Sequence, residues 1–400
     1  MRKVIDNLKY IMPRDMLAPF IFVFALIPGF FYKLYLLVIN KPLWLICESG
    51  DTARDNGYYF YKYMREKHPE INCRYVIKKQ SRDYDKVAKI GVKPVQAFGI
   101  KHYIMYLAAK WNISNHKNGN PNQVLFYIIH VTLKLINNRV FLQHGVIKDD
   151  LPFVHFKNAR FKYFVTSAKR EFDYVNNKFG YPEGSIILTG LPRFDTLIDN
   201  SKNKNKILIM PTWRNWLGRE TNALHKIDNF ENTDFYKNWN ALINSDSFIN
   251  WLEKNNKTAV FYPHLNMQRY IQYFKSSSKR IKIADLNTDI QKVLRDSYFM
   301  ITDYSSVYMD FAYMRKPVVY FQFDYDEYRK KHLSPGYFDY KKDGFGPIFD
   351  KPEDVVNAIN ETKKYCKKYE KRCDDFFPEN DYKSCERIFN ILSKNEEVRC

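Results

Sequence analysis

The most restrictive feature of this chain is a rhythm of short apolar runs separated by longer polar or helical stretches, in two successive series. The first series is LWLICES (43–49), CRYVIKK (73–79), KWNISNH (110–116), VFLQHG (140–145), YFVTSA (163–168) and SIILTG (185–190). The second is ILIMPTW (207–213), AVFYPH (259–264), IKIAD (281–285), YFMITDYSS (298–306) and PVVYFQFD (317–324). Runs of this kind are strands buried on both faces and joined by crossover helices. Between the series, DNSKNKNK (199–206) is polar, charged and aperiodic, and reads as a domain linker. A length of 400 residues also suits two cores better than one.

The expected architecture is therefore α/β, with two Rossmann-like domains in tandem, at 41–200 and 206–395. Open parallel sheets bind ligands outside the carboxyl ends of their strands. The polar residues just past the runs are His144, Arg193, Thr212, Arg214, His264, Ser305 and Ser306.

Several short motifs carry chemistry there. QHGVIKDD offers the imidazole of His144, a glycine (Gly145) that admits a ligand to the backbone, and a cation (Lys148) one helical turn on. A histidine at a strand end is also often only a hydrogen-bonded surface group. YPHLN repeats the arrangement with His264, whose plainer reading is a helix cap. Two histidines, one per domain, suit transfer chemistry in which one accepts a proton and the other neutralises developing charge. In MPTWRNW, Thr212 and Arg214 end a strand, and a guanidinium there grips phosphate oxygens or simply lies beside Trp213. TGLPRFD holds Arg193, for substrate or for a turn in which it pairs with Asp195. In ITDYSSVYMDFAYMRKP a strand runs into Ser305-Ser306 at a helix N-terminus, either an ordinary serine cap or, alongside the other motifs, a phosphate site in which Asp310 could take the ribose hydroxyls.

The segment MLAPFIFVFALIPGFFYKLYLLVI (16–39) carries one charge, Lys33, and follows the basic MRKVIDNLKYIMPRD. Pro28-Gly29 interrupts it, and its uncharged part falls short of the ~20 residues a bilayer core requires. No small-residue cleavage site follows, which argues against a secretory signal. The expectation is a pair of short helices lying in the cytoplasmic membrane interface, attracted to anionic headgroups.

Lys and Arg number 64 against 44 Asp and Glu, a formal charge of +20, so the partner is anionic. No recognition helix, zinc-finger spacing or RNA-binding signature accompanies that charge, and nucleic acid is set aside. Cys47, Cys73, Cys366, Cys373, Cys385 and Cys400 show no metal spacing and read as reduced thiols.

Taken as a set, LQHG, TGLPRFD, PTWR, YPH and TDIQKVLRDSYFMITDYSSVYMDF resemble the CDP-glycerol glycerophosphotransferase family of teichoic acid and capsule synthesis, over roughly 41–324. The resemblance implies a GT-B-like fold, its two Rossmann-type halves facing a central cleft. It makes His144 the catalytic base and His264 its partner at the diphosphate. Gly145, Lys148, Arg193, Thr212, Arg214, Ser305, Ser306 and Asp310 would bind substrate. Implied partners are a CDP-glycerol or CDP-ribitol donor, a polyprenyl-diphosphate-linked acceptor and an anionic membrane surface on the cytoplasmic face. Neither cofactor nor metal is expected. About forty residues precede the first run, and single addition and polymerisation both stay open. The rivals are a nucleotide-sugar glycosyltransferase and a non-catalytic basic binding protein.

Overall fold

Each of the eleven runs becomes a strand of a parallel sheet, because a backbone with apolar side chains on both faces needs ladder partners beside it and helices above and below. The computed structural model describes residues 13–201, 205–218, 227–378 and 380–397. The expectations for residues 1–12, for linker residues 202–204, for Cys400 and for the Cys366 side chain lie outside the described residues.

In the first sheet, β1 (Trp44–Cys47), β2 (Cys73–Ile77), β3 (Val95–Gln96), β4 (Trp111–Ser114), β5 (Arg139–Phe141), β6 (Tyr163–Thr166) and β7 (Ile186–Leu188) lie in the order β3-β2-β1-β4-β5-β6-β7. All pairs are parallel, with Trp44 opposite both Cys73 and Trp111. The second holds β8 (Lys206–Met210), β9 (Thr258–Phe261), β10 (Ile281–Ile283), β11 (Phe299–Thr302), β12 (Val318–Phe321) and β13 (Ile348–Phe349), in the parallel order β10-β9-β8-β11-β12-β13. The two-residue strands β3 and β13, absent from the runs, sit at sheet edges. Each sheet reverses its strand order once, between β1 and β4 and between β8 and β11. A crevice forms at such a reversal.

The chain divides into two compact units, and the division departs from the expected one in two places. Unit 1 comprises Met1–His144, Pro152–Asp195 and Tyr382–Cys400; unit 2 comprises Gly145–Leu151 and Thr196–Asp381. The C-terminal helix Ser384–Glu397 returns to unit 1, where Asp195 accepts from the N–H groups of Ser384 and Cys385, both at 2.8 Å, and Phe389 packs on Trp44 and His68. The segment 145–151 joins unit 2, where Asp150 N–H donates to Ser334 O, Asp149 bridges Pro335, and Lys148 and Asp149 are buried.

The expected pair of short N-terminal helices is one helix, Pro13–Val38, continuous through Pro19 and Pro28. Ala18, Ala25 and Leu36 are buried, Ile21, Phe22 and Tyr32 partly so, a stripe at three-and-four spacing. Gly29 completes it, since a Cβ there would stand 3.1 Å from Leu107 Cβ on the helix Ile100–Ala108. That close packing offsets the ~3 kcal/mol that an interior proline costs. The other faces expose Met16, Phe20, Phe24, Ile27, Phe30 and Phe31. The stretch Asp15–Val38 is long and apolar enough to cross a membrane.

Candidate active site

Unit 1 gathers its polar side chains at the β1/β4 reversal. The loop after β1 leads into the helix Asn56–Lys67, whose N-cap is Asp55. Asp55 Oδ1 accepts from Asn56 N–H at 2.8 Å and from the Arg193 guanidinium at 2.9 Å; Oδ2 accepts from the Asn115 amide at 2.8 Å and meets His144 Nδ1. Burial raises the Asp55 pKa, but His144 and Arg193 outweigh it and hold the carboxyl well below the usual carboxylate range. An ionised carboxylate only accepts, so His144 Nδ1 carries the proton and Nε2 is left to act as a base. The Asp55 carboxylate also lifts the His144 pKa above its ordinary value, against desolvation. The His144 side chain is 67% exposed and open to a substrate.

Its backbone is held from behind. Gln143 adopts φ 61°, an uncommon conformation for a residue with a side chain. Its buried amide donates to Val165 O and, at 3.0 Å, to Glu171, while Asn56 donates to Gln143 O at 2.8 Å. Arg193, only 4% exposed, also donates to His144 O at 2.7 Å. His116 brings a second imidazole 5.3 Å from the His144 ring, and burial and His144 push its pKa down to about 4.

Arg193 therefore pairs with Asp55 and holds the dyad. Motif reading missed Asp55, Asn115 and His116. The strand order would have found them, since β1 and β4 flank the reversal.

Unit 2 repeats the arrangement at β8/β11. Thr212 follows β8, and its N–H donates to Asp303 Oδ1 at 2.8 Å. Thr212 Oγ1 is buried without a partner among the described residues. Ser305 and Ser306 lie in the turn between β11 and the short helix Tyr308–Tyr313, and Ser305 Oγ accepts from Val307 N–H at 3.3 Å. Asp310 lies in that helix, buried. His264 caps the helix Leu265–Tyr273 through Nδ1, which accepts from Asn266 N–H at 3.1 Å, and its ring stacks on Trp213 at 6.1 Å. The plain reading of His264 as a cap is thus realised in the geometry.

Arg214 is the clearest departure. It is fully buried, donates to Asp324 at 2.7 and 3.0 Å and to Thr212 O at 2.7 Å, and lies 2.9 Å from Asp303 Oδ2. Tyr304 and Tyr328 close over it at 4.9 and 5.3 Å. Its guanidinium is engaged by protein groups at the strand ends, and this geometry lends no support to the expected phosphate contact. Lys148 is likewise turned inward, paired with the buried Asp149, which also accepts from Arg329 at 2.6 Å. Gly145 is partly exposed, and its φ is not positive. Among the described residues no cluster of three or more His, Cys, Asp or Glu is placed to hold a metal ion.

A model of the family described as CDP-Glycerol:Poly(glycerophosphate) glycerophosphotransferase matches residues 30–394. The minor teichoic acid biosynthesis protein GgaB of Bacillus subtilis (strain 168) is 32% identical over 384 residues, 92% of this chain and 41% of that protein. The teichoic acid poly(ribitol-phosphate) polymerase of Bacillus spizizenii is 27% identical over 267 residues, 62% of this chain and 40% of that polymerase. A solved variant of the wall teichoic acid polymerase TagF, soaked with CDPG, shares the fold with a TM-score of 0.66 at 17% identity, covering 93% of this chain and 98% of that one. This chain spans less than half the length of those two curated relatives.

Proposed function

The chain belongs to the CDP-glycerol:poly(glycerophosphate) glycerophosphotransferase family, and from that premise we propose that it moves glycerol phosphate from CDP-glycerol to a hydroxyl of a lipid-linked acceptor. His144 Nε2 takes the acceptor's hydroxyl proton. The oxygen attacks the phosphorus that bears glycerol, a new O–P bond forms, and the P–O bond to the CMP phosphate breaks, CMP leaving with the electron pair. The Ser305-Ser306 turn and His264 meet the charge on the diphosphate, and the resemblance gives the buried Asp310 to the nucleotide end. The observation that carries this reading is the Asp55–His144 pair at the β1/β4 reversal, a base oriented by a carboxylate in the place where the fold binds ligands.

The membrane part of the reading is supported by the apolar faces of the helix Pro13–Val38 and by a neighbouring segment, Gln123–Thr132, which exposes Val124, Tyr127 and Ile128. Asn122 ties the two together by donating to Asp15 at 2.6 Å. Attachment on the cytoplasmic face would keep unit 1 beside a polyprenyl-diphosphate-linked acceptor.

The test incubates the protein with CDP-glycerol, CDP-ribitol or UDP-glucose and a lipid acceptor, and measures CMP or UDP. Acceptor-dependent CMP release from CDP-glycerol is expected. Release only from CDP-ribitol would change the alditol, and UDP release would make the protein a nucleotide-sugar transferase.

A further inference from the structure

Glu48 takes no part in the transfer described above, yet it is buried at the carboxyl end of β1 with both oxygens fully engaged. Oε1 accepts from the N–H groups of Asp55 at 2.9 Å and Tyr58 at 3.0 Å. Oε2 accepts from Arg54 N–H and from the Thr52 hydroxyl, each at 3.1 Å. All four donors come from one stretch, 52–58, which leaves β1 and enters the helix Asn56–Lys67. Burial and the neighbouring Asp55 push the Glu48 carboxyl up to about 7, while the N–H groups of Arg54, Asp55 and Tyr58 favour its ionised form and bind it most strongly there. Space for it exists because residue 57 is glycine: a Cβ there would stand 2.8 Å from Glu48 Cγ. In the middle of the gripped stretch is Asp55, the residue that faces His144.

We propose that Glu48 is a positioning residue for the transfer: by holding residues 52–58 it sets the Asp55 carboxylate against His144 and so fixes the tautomer and orientation of the ring. The inference rests on His144 being the base. The charged and titratable groups facing His144 are Asp55, Arg193, His116 and Glu48 itself. Among the described residues Asp55 is the one that touches the ring nitrogen, so a loose loop changes both its proton affinity and its aim.

Three variants separate position from charge. Glu48→Gln removes the titratable carboxyl and, in either amide orientation, turns an NH2 toward at least one backbone N–H. Glu48→Asp keeps the charge but is one methylene short. Gly57→Ala leaves Glu48 intact and pushes on it. The readouts are kcat, donor KM and the NMR titration of the His144 ring in isotopically labelled protein. All three should lower kcat by about tenfold or more with donor KM unchanged, as losing an orienting partner does, and move the ring's titration to lower pH. Adding Asp55→Asn to Glu48→Gln should cost nothing beyond Asp55→Asn alone, because one acts through the other. Wild-type behaviour of Glu48→Asp and Gly57→Ala would leave only a charge effect and overturn the proposal. Full additivity in the double variant would overturn it too, as would a lowered Tm with kcat and titration unchanged. Failure of the base assignment shows separately, as normal turnover in His144→Ala, and the ring titration still reads whether Glu48 governs the Asp55–His144 pair.

Discussion

A histidine with a carboxylate on Nδ1 works from Nε2, and it works only when neutral. Asp55 raises the His144 pKa, so the transfer rate should climb with pH to a limb above the ordinary ~6.5 of a free imidazole. In Asp55→Asn the limb should move to lower pH while the plateau falls, read from a pH–rate profile. The same raised pKa stabilises the fold below pH ~6.5, and that contribution is lost as pH rises through the folded value. His144→Ala should lower kcat by at least ~100-fold with donor affinity by calorimetry unchanged. Arg214 behaves differently. It is buried between Asp303 and Asp324, so Arg214→Met leaves two carboxylates without their cation and should cost about 3–5 kcal/mol in urea unfolding. A melt at the wild-type midpoint would return Arg214 to the ligand. The sequence shows that an arginine ends each stretch, at 193 and at 214, but not which carboxylate it meets. Asp55 lies in the polar loop SGDTARDN and Asp303 in a strand end, far from their partners in the chain.

Strands were the most legible elements because burial on both faces writes itself as an unbroken apolar run. The exceptions follow from the same physics. β3 and β13 have two residues each, too few to make a run. The N-terminal helix departs from its composition at Pro28-Gly29, which signals a break but where Leu107 rewards the missing side chain with close packing. That helix is an element with two interfaces, and its attachment can be dissected. If its outer faces lie in the membrane interface, salt or alkaline wash should release the protein from vesicles of anionic lipid, whereas a spanning helix resists both. Deleting residues 1–40 uncovers the helix Ile100–Ala108, so the truncated protein should melt below the full chain while still binding the CDP donor through unit 2.

At the scale of the whole molecule, two cores were foreseeable from length and rhythm, whereas the path of the chain between them was not. No local signal says that the helix Ser384–Glu397 docks on Trp44, since that contact joins segments far apart in the sequence. Ile388 is fully buried there, and Ile388→Ala should cost about 2–5 kcal/mol, seen as earlier melting of unit 1 with unit 2 unchanged. An unaffected unit 1 would mean that the return helix only rests on it. The chain passes from one unit to the other at four places, after His144, Leu151, Asp195 and Asp381. For anyone wishing to exchange unit 2 between relatives, those crossings are the seams. A graft cut at the linker alone would strip the host of its own C-terminal helix and leave 145–151 facing a foreign surface. A sound chimera carries 145–151 together with 196–381 and keeps 382–400 from the recipient.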